Sequence, residues 1–147
     1  MKILFLDIDG VVNPFQTDYD GMVVTKIDDG CVSNVKKVVE KTGCKIVISS
    51  TWKASSNLMD VLEEELFPKL PKGCVIGCTP TLIPQKNRED EISLYLSSHK
   101  DIDRYVIVDD YDFELNSFLK DGRCVITDAL SGFTESDAEM CIGILNG

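Results

Sequence analysis

Basic residues are scarce in this sequence, which has 15 Lys and Arg against 25 Asp and Glu and a formal net charge of −10 at pH 7. Phosphate backbones and anionic membrane surfaces attract Lys and Arg, so this balance disfavours a broad electrostatic surface for either partner. A small local basic patch is still compatible with this excess of acidic residues. We therefore expect no membrane partner and no extensive nucleic-acid surface, while a nucleotide or a nucleic-acid end stays open as a ligand.

Patterns typical of zinc sites and membrane spans are missing as well. The chain has one histidine, His99, and its six cysteines form no Cys-x-x-Cys pair, so we expect no zinc site. The cysteines lie in or beside apolar runs, which predicts buried free thiols in a reducing compartment. No apolar run is long enough to cross a membrane, and the chain starts in a strand-like run without the apolar region of a secretory signal. These features predict a cytoplasmic protein.

The chain alternates strand-like apolar runs with helical patterns, and its 147 residues, 44% hydrophobic, suffice for one core. Strands are predicted at residues 3–7, 45–49, 74–78, 104–110 and 124–127, and helices at 31–41, 58–67, 89–97, 113–119 and 135–145. The alternation predicts an α/β fold of three layers, α/β/α, in which the central layer is a parallel five-stranded sheet. We expect a single domain over residues 1–147, with a short flap at about 11–29, where Pro14 and a Tyr-Asp-Gly turn signal lie.

The first predicted strand, in the stretch ILFLDIDGVV, ends in two carboxylates. A continuous apolar run is typical of a strand buried on both faces, and Asp7 and Asp9 share one face of an extended chain. Gly10 permits a sharp turn directly after them. Carboxylates at a buried strand end are costly unless a cation or another partner compensates their charge.

Other polar groups occupy equivalent places, at the carboxyl ends of strands, where ligands bind in such folds. Ser49 ends the second strand, Asp109 and Asp110 end the fourth, and Lys86 and Arg88 precede the third helix. Carboxylates that converge in one cleft repel each other, and a hard dication with oxygen ligands, Mg²⁺, relieves that repulsion. The arrangement suits phosphoryl transfer.

The motif DIDGVV resembles motif I of the haloacid dehalogenase (HAD) phosphohydrolase superfamily, and three further motifs follow in the family's order. The resemblance implies a Rossmann-like HAD core without a large cap domain, because neither interval between the motifs has room for one. It implies that Asp7 is the nucleophile that forms an aspartyl-phosphate. It also implies that Asp9 is the general acid and base, with its backbone carbonyl a ligand of Mg²⁺.

The same resemblance extends to the second motif. Ser49 matches the hydroxyl that binds a phosphoryl oxygen, with Ser50 and Thr51 as neighbouring alternatives in an uncertain register. The backbone amides of residues 50–52 could bind an anion at a helix entrance. Gly10 fits the first motif and is expected to lie against the substrate.

In the third motif the cation is Arg88 or Lys86, and Arg88 is favoured because it heads a helix. Asp109 and Asp110 match the fourth motif. Asp110 is expected to bind Mg²⁺ directly, and Asp109 to act as a ligand or as a partner of the ligands.

Trp52 and Lys53 resemble the S-x-W-R/K signature of HAD domains associated with RNA-repair proteins and polynucleotide 3′-phosphatases. By this resemblance Trp52 stacks on a base or sugar and Lys53 meets a second phosphate; the alternative is a tryptophan in the core and a lysine on the surface. The implied function is a Mg²⁺-dependent phosphomonoesterase acting on a nucleotide or a polynucleotide phosphate end. Alternatives are a phosphatase of phosphoproteins or small metabolites, transfer to an acceptor other than water, and a catalytically silent HAD-like binding module.

Overall fold

A computed structural model gives the fold and describes residues 1–17, 19–23, 25–82, 87–112 and 114–147. The strands are β1 (Lys2–Leu6), β2 (Lys45–Ile48), β3 (Val75–Cys78), β4 (Arg104–Asp109) and β5 (Cys124–Ile126). The α-helices are α1 (Asp29–Thr42), α2 (Ser56–Glu65), α3 (Arg88–Ser98), α4 (Asn116–Lys120) and α5 (Glu135–Asn146). Short 3-10 helices cover Thr51–Ala54 and Phe67–Lys69. All the predicted strands and helices are present with small shifts of their ends; Phe113, the predicted start of the fourth helix, lies outside the described residues.

The five strands form one sheet in the order β3-β2-β1-β4-β5, and every neighbouring pair is parallel. This confirms the predicted sheet. The chain runs outward from β1 on one side and then crosses to β4, so the switch point of the topology lies between β1 and β4. Leu6 is in register with both Ile48 and Val108. The residues that follow these three positions therefore lie at one level, at the carboxyl ends of the strands.

Helices cover both faces of the sheet, which confirms the three-layer architecture. Leu4 and Leu6 of β1 pack in the larger buried cluster with residues of α1, α2 and α5. Ile3 and Phe5 point the other way and pack with residues of α3 and α4, because successive side chains of a strand face opposite sides. A strand buried on both faces needs the continuous apolar run that β1 has.

Local capping groups set the ends of the helices. α1 begins two residues earlier than predicted because the Asp28 side chain accepts a hydrogen bond from the Cys31 backbone N–H at 2.9 Å. It ends at Gly43, which adopts a left-handed conformation with φ of 70°. α5 begins with a capping box in which Thr134 and Asp137 each accept from the other's backbone N–H.

The cysteines are partly as expected. Cys31, Cys44, Cys74 and Cys141 are buried and Cys124 is half-buried, but Cys78 is exposed. The expectation of burial is wrong for Cys78 because β3 is an edge strand, and three of its four residues are exposed to solvent. No helix in the described part of the chain combines the length and hydropathy of a membrane span.

Candidate active site

Three carboxylates meet at the carboxyl ends of β1 and β4. Asp7 directly follows β1, Asp109 is the last residue of β4, and Asp110 follows it. One side-chain oxygen from each of the three lies within 4.8 Å of the others. Asp7 and Asp109 are buried, so their charges are poorly screened by water.

Among the residues that the structure describes, Arg88, the first residue of α3, is the cation that lies against these acids. Its Nη1 is 2.5 Å from Asp109 Oδ2 and 3.3 Å from Asp7 Oδ1. Its backbone N–H donates to Glu114 Oε2 at 3.2 Å, which fixes the start of the helix beside the cleft. Lys86, the alternative cation for this role, lies outside the described residues.

The pKa values of the clustered acids are shifted first by burial and then by the charges of their neighbours. Burial raises the pKa of Asp7 well above its ordinary value and the Asp109 charge raises it further, outweighing the opposing effect of Arg88. Burial also raises the pKa of Asp110, with a hydrogen bond and the charge of Asp109 as further causes. Burial disfavours the Arg88 cation, but the charges of Asp7 and Asp109 outweigh that effect and raise its pKa. One arginine therefore does not neutralise the cluster.

The donor set fits a hard divalent cation. Three carboxylates supply the oxygen ligands that Mg²⁺ prefers, and their mutual repulsion favours any ion that binds all of them. Gly10, with φ of 76°, leaves room for the side chain of Asp110: a Cβ at residue 10 would overlap with Asp110 Oδ2 and lie 2.7 Å from its Cβ. The Gly10 carbonyl in turn accepts a hydrogen bond of 2.7 Å from Thr127 Oγ1. A side chain at residue 10 would displace Asp110.

Asp9 has different surroundings from Asp7. The indole Nε1–H of Trp52 donates to Asp9 Oδ2 at 3.0 Å, and Asn13 Nδ2–H donates to Asp9 Oδ1 at 2.9 Å. Both carboxylate oxygens therefore have a neutral donor that sets their orientation. The prediction that Trp52 stacks on a base is wrong, because its side chain is buried with 3% exposure and its polar edge is used by Asp9.

Lys53 is buried as an ion pair. Its Nζ is 2.8 Å from Glu91 Oε1 and 2.9 Å from Thr79 Oγ1, and its side chain is 4% exposed. The prediction that Lys53 meets a second phosphate is wrong for this arrangement, because a buried ammonium needs its local carboxylate partner. The pair instead joins the 3-10 turn after β2 to helix α3.

The three hydroxyls after β2 have three different surroundings. Ser49 is buried, and its Oγ has no hydrogen-bond partner within the described part of the chain. Ser50 Oγ accepts from the Trp52 backbone N–H and caps the 3-10 turn. Thr51 is exposed and lines the cleft above the carboxylates. The structure therefore distinguishes an unpartnered hydroxyl, a cap and a cleft residue, and which of the three binds a phosphoryl oxygen stays a prediction.

The carboxylates line a cleft of about 170 Å³. The cleft is formed by Asp7, Asp9, Thr51, Arg88, Asp109, Asp110, Tyr111 and Glu114. Its size is that of a phosphoryl group with a few waters rather than of a whole nucleotide, so a larger substrate extends beyond it.

Comparison with protein families matched residues 3–138 to the HAD domain found in Swiss Army Knife RNA repair proteins. The chain belongs to this HAD family. Comparisons with curated proteins and with solved structures gave no significant match. Family membership confirms the resemblance seen in the four motifs and, with the buried acidic cluster, supports a phosphatase-like hydrolase function.

In this HAD domain the structure brings together Asp7, Asp9, Arg88, Asp109 and Asp110, which the sequence motifs had singled out. It does not bring Lys53 or the ring of Trp52 to the cleft surface. The roles of these residues in catalysis stay predictions, since juxtaposition alone does not establish them.

Sequence reasoning missed Asn13, Tyr111 and Thr127. Asn13 left a weak signal, a polar side chain in the apolar run VVNP just after the first motif. No local pattern indicates Thr127, because its hydrogen bond to Gly10 joins residues 117 positions apart in the chain. Glu114, which also lines the cleft, accepts a hydrogen bond from the backbone N–H of Arg88.

Proposed function

We propose that this HAD domain is a Mg²⁺-dependent phosphomonoesterase that works through an aspartyl-phosphate on Asp7. The observation that carries the proposal is a buried carboxylate, Asp7, beside Arg88 and two residues from a second carboxylate that has different partners. Two acids with separate surroundings suit two separate roles. The family match to a HAD domain adds support.

The first half-reaction forms a bond between an Asp7 oxygen and phosphorus and breaks the bond between phosphorus and the leaving oxygen. Asp9 donates a proton to that oxygen, so an alcohol leaves. In the second half-reaction Asp9 takes a proton from water, whose oxygen attacks phosphorus and releases Asp7 and inorganic phosphate. General acid and base catalysis of this kind contributes about 10²- to 10⁴-fold in rate.

The remaining residues position the phosphoryl group. The Arg88 guanidinium offers further N–H donors besides those used by the acids, and these suit a phosphoryl oxygen. Thr51 lines the cleft, and the unpartnered Ser49 hydroxyl would gain a partner if it turned toward a bound oxygen. Such a contact would remove the cost of about 1–3 kcal/mol for a buried hydroxyl without a hydrogen bond.

Asp7, Asp110 and the backbone carbonyl of Asp9 would hold Mg²⁺, with Asp109 either a ligand or the partner of Arg88. When bound, the ion supplies positive charge that stabilises the phosphoryl oxygens. Burial is the main cause of the raised pKa values of Asp7 and Asp110, and the Asp109 charge is a further cause. A bound dication would compensate these charges, which supports the assignment.

The substrate we propose is a nucleotide or a phosphorylated nucleic-acid end. The description of the family, HAD domains in RNA repair proteins, supports this class. The net charge of −10 favours a short ligand over a long nucleic-acid tract. Trp52 and Lys53 do not add support, because both side chains are buried. The shielded thiols suit a reducing compartment such as the cytoplasm.

The test is phosphate release from nucleotides, oligonucleotide ends, phosphopeptides and sugar phosphates with Mg²⁺. We expect release by the wild type, loss of at least about 10³-fold in kcat for Asp7→Asn, and no change for Asp60→Asn, an exposed carboxylate of α2. Chelation should remove activity, and Mg²⁺ but not Ca²⁺ should restore it. Wild-type activity no higher than that of Asp7→Asn on every substrate would rule out the enzyme, and beryllofluoride trapped on another residue would overturn the role of Asp7.

A further inference from the structure

A second cavity, of about 290 Å³, adjoins the cleft on the side of the flap segment, residues 11–29. Asp9 and Asp110 border both cavities, whereas Asp7 borders the cleft and not this second space. Pro14, Phe15 and Val23 form walls from the flap segment, and Ala129 lies among the lining residues from the loop after β5. We call this space the flap cavity.

The chemistry of phosphoryl transfer fixes on which side of the phosphate the leaving group lies. The attacking and leaving oxygens are roughly in line through phosphorus, so the leaving group points away from Asp7. The proton donor must lie within hydrogen-bond reach of the leaving oxygen, so the leaving group passes beside Asp9. A space that borders Asp9 but not Asp7 meets both conditions, and the flap cavity is such a space.

The side of the flap cavity formed by Pro14, Phe15 and Val23 is apolar and accessible. Phe15 is 52% exposed and Val23 is 65% exposed, although side chains of these types are usually buried. None of the described residues that line the cavity is Lys, Arg or His, and two are carboxylates. An uncharged flat ring suits such walls better than a further phosphate does, because an aromatic side chain offers a stacking face to any ring.

The segment that carries Phe15 is tied to the rest of the site. The Phe15 backbone N–H donates to the Ala129 carbonyl at 2.8 Å. Asn13 Oδ1 accepts from the Lys26 backbone N–H at 2.9 Å, while its Nδ2–H donates to Asp9. The same asparagine thus connects the flap segment with the carboxylate that would protonate the leaving oxygen.

We propose that the flap cavity binds an uncharged ring of the leaving group, such as the base of a nucleoside monophosphate, with Phe15 as the stacking surface. The proposal rests on the phosphomonoesterase function proposed above. It adds which part of the substrate the protein recognises, namely a ring on the leaving alcohol. Phosphomonoesters whose alcohol carries a ring are then preferred over those with a bare sugar or a short chain.

The test compares adenosine 5′-monophosphate with ribose 5-phosphate, which presents the same leaving oxygen without the base. For the wild type, Phe15→Ala, Phe15→Tyr and Tyr19→Ala, kcat/KM is measured on both substrates with Mg²⁺. We expect the adenosine-to-ribose ratio of kcat/KM to exceed one in the wild type and to fall about 5- to 150-fold in Phe15→Ala, the range that corresponds to loss of one stacked base. Phe15→Tyr should keep the ratio, as should Tyr19→Ala, whose fully exposed ring does not line the cavity.

The outcomes separate the two proposals. An unchanged ratio in Phe15→Ala, or a wild type that does not prefer the adenosine substrate, would overturn the flap cavity as a ring site and leave the phosphatase standing. Phosphate release by the wild type from other phosphomonoesters, but from neither of these two, would also overturn the ring site and leave the phosphatase standing. Absence of release from every phosphomonoester would instead remove the phosphatase and the ring site together. Circular dichroism checks that Phe15→Ala folds, as expected for a half-exposed side chain.

Discussion

Two aspartates separated by one residue have opposite surroundings in this protein. Asp7 is buried among other acids and shares one arginine with Asp109. Asp9 accepts two hydrogen bonds from neutral donors, one from Trp52 and one from Asn13. Because the surroundings of a carboxylate influence its chemistry, these contacts support the two separate roles proposed for Asp7 and Asp9.

We predict that Trp52→Phe lowers kcat at least about tenfold and changes KM by less than about threefold. Phenylalanine keeps the apolar contacts but removes the N–H that orients Asp9, so proton transfer suffers while binding does not. The measurement is steady-state hydrolysis of a phosphomonoester, with Asn13→Ala as the variant that removes the other donor. An unchanged kcat in both variants would show that orientation of Asp9 by these donors is unimportant.

The stability of the metal-free protein should fall as the pH rises above the ordinary aspartate pKa of 3.8. Asp7 and Asp110 have raised pKa values in the folded state, so between the ordinary and the raised values the folded protein binds more protons than the unfolded chain. The free energy of unfolding then decreases with pH across that interval. Urea denaturation with EDTA at a series of pH values measures it.

Asp110→Asn provides the control for this pH dependence. It removes one of the repelling charges, so the decrease with pH should be smaller, the metal-free variant should be more stable than the wild type at pH 7, and added Mg²⁺ should stabilise it less. The lowered pKa values of Asp29, caused by Lys69, and of Asp103, caused by the N-terminal ammonium, contribute slopes of opposite sign in both proteins and cancel in the comparison. A variant with the same slope and the same response to Mg²⁺ would contradict the predicted repulsion.

At the scale of elements, helix α3 positions the arginine of the site through contacts at its beginning. The Lys53–Glu91 ion pair joins the helix to the turn after β2, and Glu114 accepts from the backbone of Arg88. Both partners of the ion pair are largely buried, with side-chain exposures of 4% and 12%. A buried pair makes the loss of one partner costly, because the other charge remains in a poorly solvated place.

We therefore predict that Lys53→Met lowers the free energy of unfolding by about 3 kcal/mol, whereas the double variant with Glu91→Leu recovers most of that loss. The matched control is Lys36→Met, which breaks the exposed Lys36–Glu40 pair of α1 and should cost less than about 0.5 kcal/mol. Chemical denaturation of the four proteins measures the differences. Equal losses in Lys53→Met and Lys36→Met would show that burial of the first pair has no energetic effect.

At the scale of the whole molecule, the sheet has a shielded centre and an open edge. β1 lies in the middle with helices on both faces, whereas β3 lies at the edge with most of its residues exposed. Burial raises the pKa of Cys31 to about 11 and that of Cys124 to about 12. Thiols in such places are both shielded and protonated at neutral pH, and protonated thiols react slowly.

We predict that a thiol reagent at pH 7.5 modifies Cys78 at least about tenfold faster than the other five cysteines of the native protein. The measurement is the time course of modification with a chromogenic disulfide. Cys78→Ser should lose the fast phase, and Cys124→Ser, the control at the half-buried position, should keep it. A fast phase that persists in Cys78→Ser would show that another thiol is accessible, against the observed burial.

The sequence by itself determined the succession of strands and helices along the chain and the position of the acids at the carboxyl ends of two strands. Both follow from local patterns: a continuous apolar run predicts a buried strand, and the residue after it lies at the carboxyl end of the sheet. This reasoning found Asp7, Arg88 and Asp110, because the residues adjacent to each of them in the chain indicate a strand end or a helix start.

Only the tertiary structure decided which side chains meet. The partners Trp52 and Asp9 are 43 residues apart and Lys53 and Glu91 are 38 apart, so no local pattern records either contact. A tryptophan or a lysine beside a phosphate motif is equally compatible with ligand contact and with burial. Lys53 is buried by its ion pair with Glu91 of α3, and Trp52 by its packing in the larger core cluster. The exposure of Cys78 also depends on the tertiary structure, because an edge strand and a central strand can have similar sequences and differ in what covers them.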